Sequence, residues 1–196
     1  AIVIINPNNP TGAVYPRAVL EAIARIAEKY HLLVLADEIY DQMTYEGAEF
    51  TPMATLVQHT LCGTLSGLSK VYRACGYRVG WAVFSGDVEH SREYLSALEL
   101  LSSLRLCSNV PGQWAVQTAL GGFQSIHELT GTGGRLYESR RAILEAVRRS
   151  SYLHVTPPMG ACYAFVGVQT EDLPEEFDDQ QFALDLLEHK HVLVAP

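Results

Sequence analysis

The sequence predicts an α/β fold. Three observations carry this: short, wholly apolar runs; an amphipathic stretch between the first two of them; and polar residues clustered where each run ends. Ile2 to Ile5 is an apolar, isoleucine- and valine-rich run of strand length. Asn6-Pro7-Asn8-Asn9-Pro10-Thr11-Gly12 follows it, dense in turn formers. From Pro16 to Tyr30 the apolar positions Val19, Leu20, Ile23, Ile26, Ala27 and Tyr30 recur at helical spacing, with Pro16 suited to the first turn. Leu32 to Ala36 is a second apolar run, ending at Asp37. Strand, helix and strand with short joins form the unit of a parallel sheet covered on both faces. Leu61 to Leu65 reads as the next strand, Ser66 to Lys70 as the turn leaving it, and Val79 to Phe84 as the strand after.

Helical pattern then dominates, from about His90 to Leu104 and from Val110 to Leu120. Gly131-Thr132-Gly133-Gly134 is a loop before an amphipathic helix over Arg135 to Arg149, with Leu136, Ile143, Leu144 and Val147 on its apolar side. After Pro157-Pro158-Met159-Gly160 the pattern predicts a strand over Ala161 to Val168. An acidic loop (Glu171 to Asp179), a helix over Gln180 to His189 and a final strand-like run at Leu193 to Pro196 complete it. A domain boundary is expected in the long helix, dividing the chain into 1–138 and 139–196.

Composition sets the outer bounds. With 196 residues, 48% hydrophobic and 18% charged, the chain is globular rather than disordered. A formal charge of −8 argues against a general nucleic-acid binder, which needs a basic face. No apolar run approaches the ~20 residues that span a bilayer, so no membrane partner is expected. Cys62, Cys75, Cys107 and Cys162 lie far apart without a CxxC pair. They read as reduced, mostly buried thiols of a cytoplasmic protein, with neither a disulfide frame nor a metal site. The chain opens and closes inside strand-like runs, which predicts a segment of a longer protein.

Three polar residues fall at the carboxyl ends of the predicted parallel strands, where ligands bind in open α/β sheets: Asn9, Asp37 and Lys70. Each has an ordinary alternative. A lone lysine is most often a surface residue, an aspartate after a strand often caps a turn, and Asn-Pro-Thr-Gly can be a plain turn. Their order and spacing together change the balance. Asn9-Pro10-Thr11-Gly12, Asp37-Glu38-Ile39-Tyr40, then Ser66-Gly67-Leu68-Ser69-Lys70 with Arg78 eight residues on, resemble the signature series of class I/II aminotransferases. The tract Arg105 to Pro111, with Leu120-Gly121-Gly122 after it, is most similar to the bacterial glutamate–pyruvate (alanine) group.

The resemblance implies a fold-type-I transferase dependent on pyridoxal 5′-phosphate. Residues 1–138 would be the carboxyl-terminal half of a three-layer αβα large domain, and 139–196 the interdomain helix and the beginning of a small α/β domain. It implies transamination between an amino acid and a 2-oxo acid, alanine with 2-oxoglutarate being favoured, in a cytoplasmic homodimer. Lys70 would hold the cofactor covalently and then move the Cα proton; a lysine amine freed by burial or neighbouring positive charge can do both. Asp37 would pair with the ring nitrogen, Asn9 and Tyr40 would bind the phenolic oxygen, and Arg78 would bind the phosphate. A cis bond is implied at Asn9–Pro10. Where many relatives have a phosphate-binding serine this chain has Gly67, leaving Ser66 and Ser69 as alternative sources of the hydroxyl. Ser108 and Asn109 fit a helix cap better than a subunit contact.

The same resemblance marks what the chain lacks. The family's amino-terminal half and its carboxyl-terminal substrate-binding arginine are expected to fall outside this segment, in which no arginine follows Arg149. The segment itself is expected to bind cofactor poorly and to be inactive. A C–S lyase or decarboxylase on the same scaffold, or a non-catalytic domain retaining it, are the competing readings.

Overall fold

The computed structural model of the chain describes residues 1–169, 173 and 177–196. Ile2–Ile5 (β1), Val34–Asp37 (β2) and Leu61–Gly67 (β3) lie side by side in parallel, and Gly80–Gly86 (β4) completes a mixed sheet of order β1-β2-β3-β4. β4 runs antiparallel to β3. The link between them holds one 3-10 turn, Cys75–Tyr77, and no crossover helix to carry the chain back to the other end of the sheet. The first crossover does have its helix, Arg17–Lys29 (α1).

Side chains alternate across the strands, and this alternation divides the sheet. Ile4, Val34, Ala36 and Cys62 point toward α1 and form a buried core with its Leu20, Ala24 and Ala27 and with Met53 and Val57. Burying Leu20, 1% exposed, stabilises the fold by about 2 kcal/mol. Val19, Ile26 and Tyr30, on the predicted apolar stripe, fall outside this seam and are 44%, 50% and 60% exposed. On the opposite face Val3 is exposed, while Leu35 and Phe84 close over Gly63.

β3 continues through Ser66 and Gly67, which sequence alone assigned to the turn, because β4 pairs with it to the end: Ser66 with Trp81, Gly67 with Gly80. This close pairing accounts for Gly67. A Cβ there would lie 2.8 Å from the Val79 carbonyl oxygen and 3.0 Å from the Gly80 Cα.

The remaining helices are Arg92–Ser103 (α2), Val110–Gly121 (α3), Ile126–Thr130 (α4), Arg135–Arg149 (α5) and Asp179–Lys190 (α6). Asn109 caps α3, as its sequence suggests: its Oδ1 accepts the Gly112 N–H at 3.2 Å, and its Nδ2 donates to the Tyr77 carbonyl at 2.9 Å. On α5 Val147 is buried, but Ile143 is 41% exposed and does not join the predicted apolar side.

Leu153–Val155 (β5) and Val166–Val168 (β6) form a separate antiparallel pair. β5, three residues long, is too short for a strand period to register in the sequence. The predicted strand over Ala161 to Val168 shrinks to β6, because Ala161 and its neighbours bond instead to loops of the large sheet. Leu193 to Pro196 form no strand, since among the described residues they have no ladder partner. The acidic loop over Glu171 to Asp179 lies largely outside the described residues. Of the four cysteines only Cys62 is buried; Cys75, Cys107 and Cys162 sit in exposed turns and loops, correcting the expectation of mostly buried thiols.

The segment Pro158 to Tyr163 lies as a strap across the turns that follow β1 and β2. The Met159 and Gly160 N–H groups both donate to the Gly12 carbonyl at 2.8 Å, and the Ala161 N–H to the Met43 carbonyl at 2.8 Å. In return the Tyr45 N–H donates to the Met159 carbonyl at 2.9 Å, and its hydroxyl to the Ala161 carbonyl at 2.9 Å. Gly12 makes this seat possible. Its φ is +70°, and a Cβ there would lie 2.3 Å from the Pro158 Cβ.

Candidate functional site

The carboxyl ends of the three parallel strands open into a cleft of about 350 Å³ lined by Ile5, Asn9, Asp37, Ile39, Tyr40, Leu65, Ser66, Ser69 and Lys70. Six of the seven residues singled out from sequence therefore meet in one place. The seventh, Arg78, is not among the lining residues. It sits exposed in a left-handed turn (φ +52°), where its Nη1 donates to the Cys75 carbonyl at 2.8 Å.

Each position follows from local structure. The turn after β1 is knitted by Asn8, whose Oδ1 accepts from the Thr11 hydroxyl at 2.7 Å and the Thr11 N–H at 3.3 Å. The Asn9–Pro10 bond is cis, as expected, and Asn6–Pro7 is cis as well. Buried Asn6 braces the turn from behind, its Oδ1 accepting the Tyr15 N–H at 3.0 Å. Lys70 is flanked by Leu68 and Val71, both buried, which pin the loop leaving β3. The Lys70 Nζ stands 6.0 Å from the centroid of the Tyr40 ring.

Asp37 and Glu38 show what strand alternation does to adjacent carboxylates. Asp37, at the last position of β2, faces the cleft beside Ile5 and Leu65, and its Oδ1 accepts the Ile39 N–H at 3.1 Å. Glu38 turns to the α1 side, where it is buried and its Oε1 accepts the Met53 N–H at 2.7 Å. Burial pushes the Glu38 carboxyl up to about 7. The Met53 bond works against that, and the charges of Asp41 and Asp37 add to it.

Unfolded, Glu38 loses its proton near 4.5, and folded near about 7. Between these values the folded chain holds the extra proton, so stability is fully present below about 4.5 and is lost as pH rises through 7. The displacement corresponds to roughly 3 kcal/mol. Urea midpoints of the full-length protein should therefore fall from pH 5 to 8, and Glu38→Gln should flatten most of that slope. Parallel slopes in the two proteins would refute the assignment to Glu38.

Tyr40 is 2% exposed, and its hydroxyl lies 2.7 Å from that of Tyr163, with the two rings edge to face at 5.6 Å between centroids. Burial pushes the Tyr40 hydroxyl well above the usual phenol range, and the bond to Tyr163 pushes it further. Sequence reasoning missed Tyr163, placing it in a strand. The one available signal was an aromatic residue just after the Pro157–Gly160 turn.

Comparison with known proteins gives a consistent picture. The family described as aminotransferase class I and II matches residues 1–196. The glutamate-pyruvate aminotransferase AlaA of Escherichia coli is 46% identical over 193 residues, covering 98% of this chain and 47% of that protein. An alanine aminotransferase of Mycobacterium bovis is 44% identical over 194 residues, covering 99% and 45%. Among solved structures, an Escherichia coli aminotransferase superposes with a TM-score of 0.93 at 46% identity, covering 98% of this chain and 47% of that one. The alanine aminotransferase of Pyrococcus furiosus gives 0.89 at 37% identity, covering 98% and 47%. The chain spans about half the length of the curated relatives it matches.

Proposed function

Because this chain belongs to the class I and II aminotransferase family, we propose that the full-length enzyme transfers an amino group between alanine and 2-oxoglutarate, using pyridoxal 5′-phosphate held in the cleft at the ends of β1 to β3. The observation that carries the reading is the meeting of an amine, a carboxylate and a buried phenol in that one cleft. The donor set fits the cofactor: a nucleophile for its aldehyde, an anion for its ring nitrogen, hydroxyls for its phosphate. A cavity of about 350 Å³ lies within the usual range for small-molecule sites. When bound, the cofactor supplies an aldehyde that captures the substrate amine and a ring that takes up the electron pair left when the Cα proton departs.

The chain's own residues divide the remaining work. Lys70 would hold the cofactor through Nζ and, as a free amine, would carry the Cα proton. Asp37 holds the ring nitrogen's proton by charge, and its bond from the Ile39 N–H fixes the carboxylate in place. Asn9 and Tyr40 donate to the phenolic oxygen. Ser66 or Ser69 would supply a hydroxyl to the phosphate, and Arg78 its guanidinium, which here donates to the Cys75 carbonyl through an exposed bond that is lost at little cost.

Residues 1–138 and 139–196 then belong to the large domain and to the interdomain helix with the small domain; the two separate β-sheets support that division. The full-length enzyme is read as a cytoplasmic homodimer. Adding alanine alone to the loaded, full-length enzyme should yield one pyruvate per site and leave the cofactor in its aminated form, which 2-oxoglutarate then reverses. Product that keeps accumulating from the amino acid alone, with the cofactor unchanged, would indicate a lyase or decarboxylase and overturn the reading.

A further inference from the structure

We propose that Tyr163 is a positioning residue for the cofactor: its hydroxyl donates to Tyr40 and thereby turns the Tyr40 O–H toward the cleft. This rests on the reading of the cleft as a pyridoxal phosphate site. The two hydroxyl oxygens are 2.7 Å apart, and the distance alone allows either to donate. Each phenol has one proton, and chemistry chooses between the directions. If Tyr40 gave its proton to Tyr163, it could only accept in the cleft, where a cofactor phenolate needs a donor. In the reverse direction Tyr163 donates to Tyr40 and Tyr40 donates to the phenolate, and two hydroxyl dipoles aligned head to tail strengthen one another. Burial keeps Tyr40 protonated, as a donor must be.

The surroundings hold Tyr163 to this task. It ends the strap whose backbone is bonded to Gly12, Met43 and Tyr45, so it is anchored to the same turns that carry Asn9 and Tyr40. Its ring packs edge to face on Tyr40 at 85°, which fixes the approach of the hydroxyl. Cys162 and Asp37 raise the Tyr40 hydroxyl further, and the Lys70 Nζ stands 6.0 Å from the centroid of its ring. A residue distant in sequence thus sets the orientation of a hydroxyl in the cleft.

The test is a pH titration of the visible absorbance of Lys70-bound cofactor in the full-length enzyme. When the linked nitrogen is protonated, its positive charge already stabilises the phenolate; once that proton leaves, the phenolate relies on Tyr40 and Asn9. Weakening the Tyr40 donor therefore penalises the deprotonated form and raises the midpoint. Tyr163→Phe removes one oxygen and keeps the ring packing. It should raise the midpoint by roughly half to one pH unit, a three- to tenfold change in the equilibrium. Tyr40→Phe should raise it at least as far, and the double variant no further than Tyr40→Phe alone, since Tyr163 acts through Tyr40.

A shift in Tyr163→Phe smaller than about 0.2 unit, or additive shifts in the double variant, would overturn the proposal and leave the cofactor reading intact. Failure of the wild-type enzyme to form any borohydride-reducible adduct at Lys70 would overturn that reading itself, and this proposal with it.

Discussion

Lys70→Ala in the full-length enzyme is expected to lower amino transfer by at least about 10⁴-fold and to abolish the borohydride-reducible cofactor adduct. The magnitude is large because one amine performs two tasks that nothing else in the cleft can take over. It is the nucleophile for the aldehyde, and it is the base for the Cα proton. The chain's other lysines are badly placed to substitute. Lys29 lies at the end of α1, over the exposed Tyr30 ring at 5.2 Å, and Lys190 ends α6; neither lines the cleft. Added methylamine should restore part of the proton transfer in Lys70→Ala without restoring the covalent link between cofactor and protein, which separates the two tasks. An adduct retained at full strength in the variant would mean that the wrong lysine has been chosen.

The legibility of this site follows from where its information resides. Asn9, Asp37 and Lys70 each follow an apolar run, and a parallel sheet brings the ends of such runs to one edge whatever the rest of the chain does. The same is true of α1, whose spacing and flanking turns are local. What sequence could not supply depends on partners far along the chain. The direction of β4 and the extension of β3 to Gly67 depend on two backbones meeting at Gly80. Tyr163 lies 123 residues from the hydroxyl it meets, and it arrives there on a strap whose backbone bonds have no sequence signature. Glu38 is next to Asp37 in the sequence, yet only the alternation at the end of β2, with the 3-10 turn at Met53, shows that its carboxylate lies buried on the other side. Arg78 shows the opposite limit. Its spacing from Lys70 marks it, while its guanidinium rests on the Cys75 carbonyl.

Asp37→Asn should be the second most damaging change, and the structure makes it a clean one. Asparagine keeps an oxygen to accept the Ile39 N–H, so the end of β2 retains its bond and only the charge is lost. A carboxylate ~3 Å from a protonated ring nitrogen gains roughly 5 kcal/mol at an effective dielectric of ~20, before desolvation is subtracted. If half survives, the ring nitrogen's pKa falls by almost two units without it, and the ring loses its proton near neutral pH. The ring then takes up electrons poorly, and kcat should fall by about 10²-fold or more while cofactor remains linked to Lys70. Glu38→Gln provides the contrast: one residue away and on the opposite face of the sheet, it should change stability with pH and leave kcat within about threefold. The two side chains bear the same functional group and are neighbours in sequence. If both variants lost activity equally, the division of the sheet into a cofactor face and a core face could not explain the chemistry. If only Asp37→Asn did, the alternation at the end of β2 would be what assigns one carboxylate to catalysis and the other to the fold.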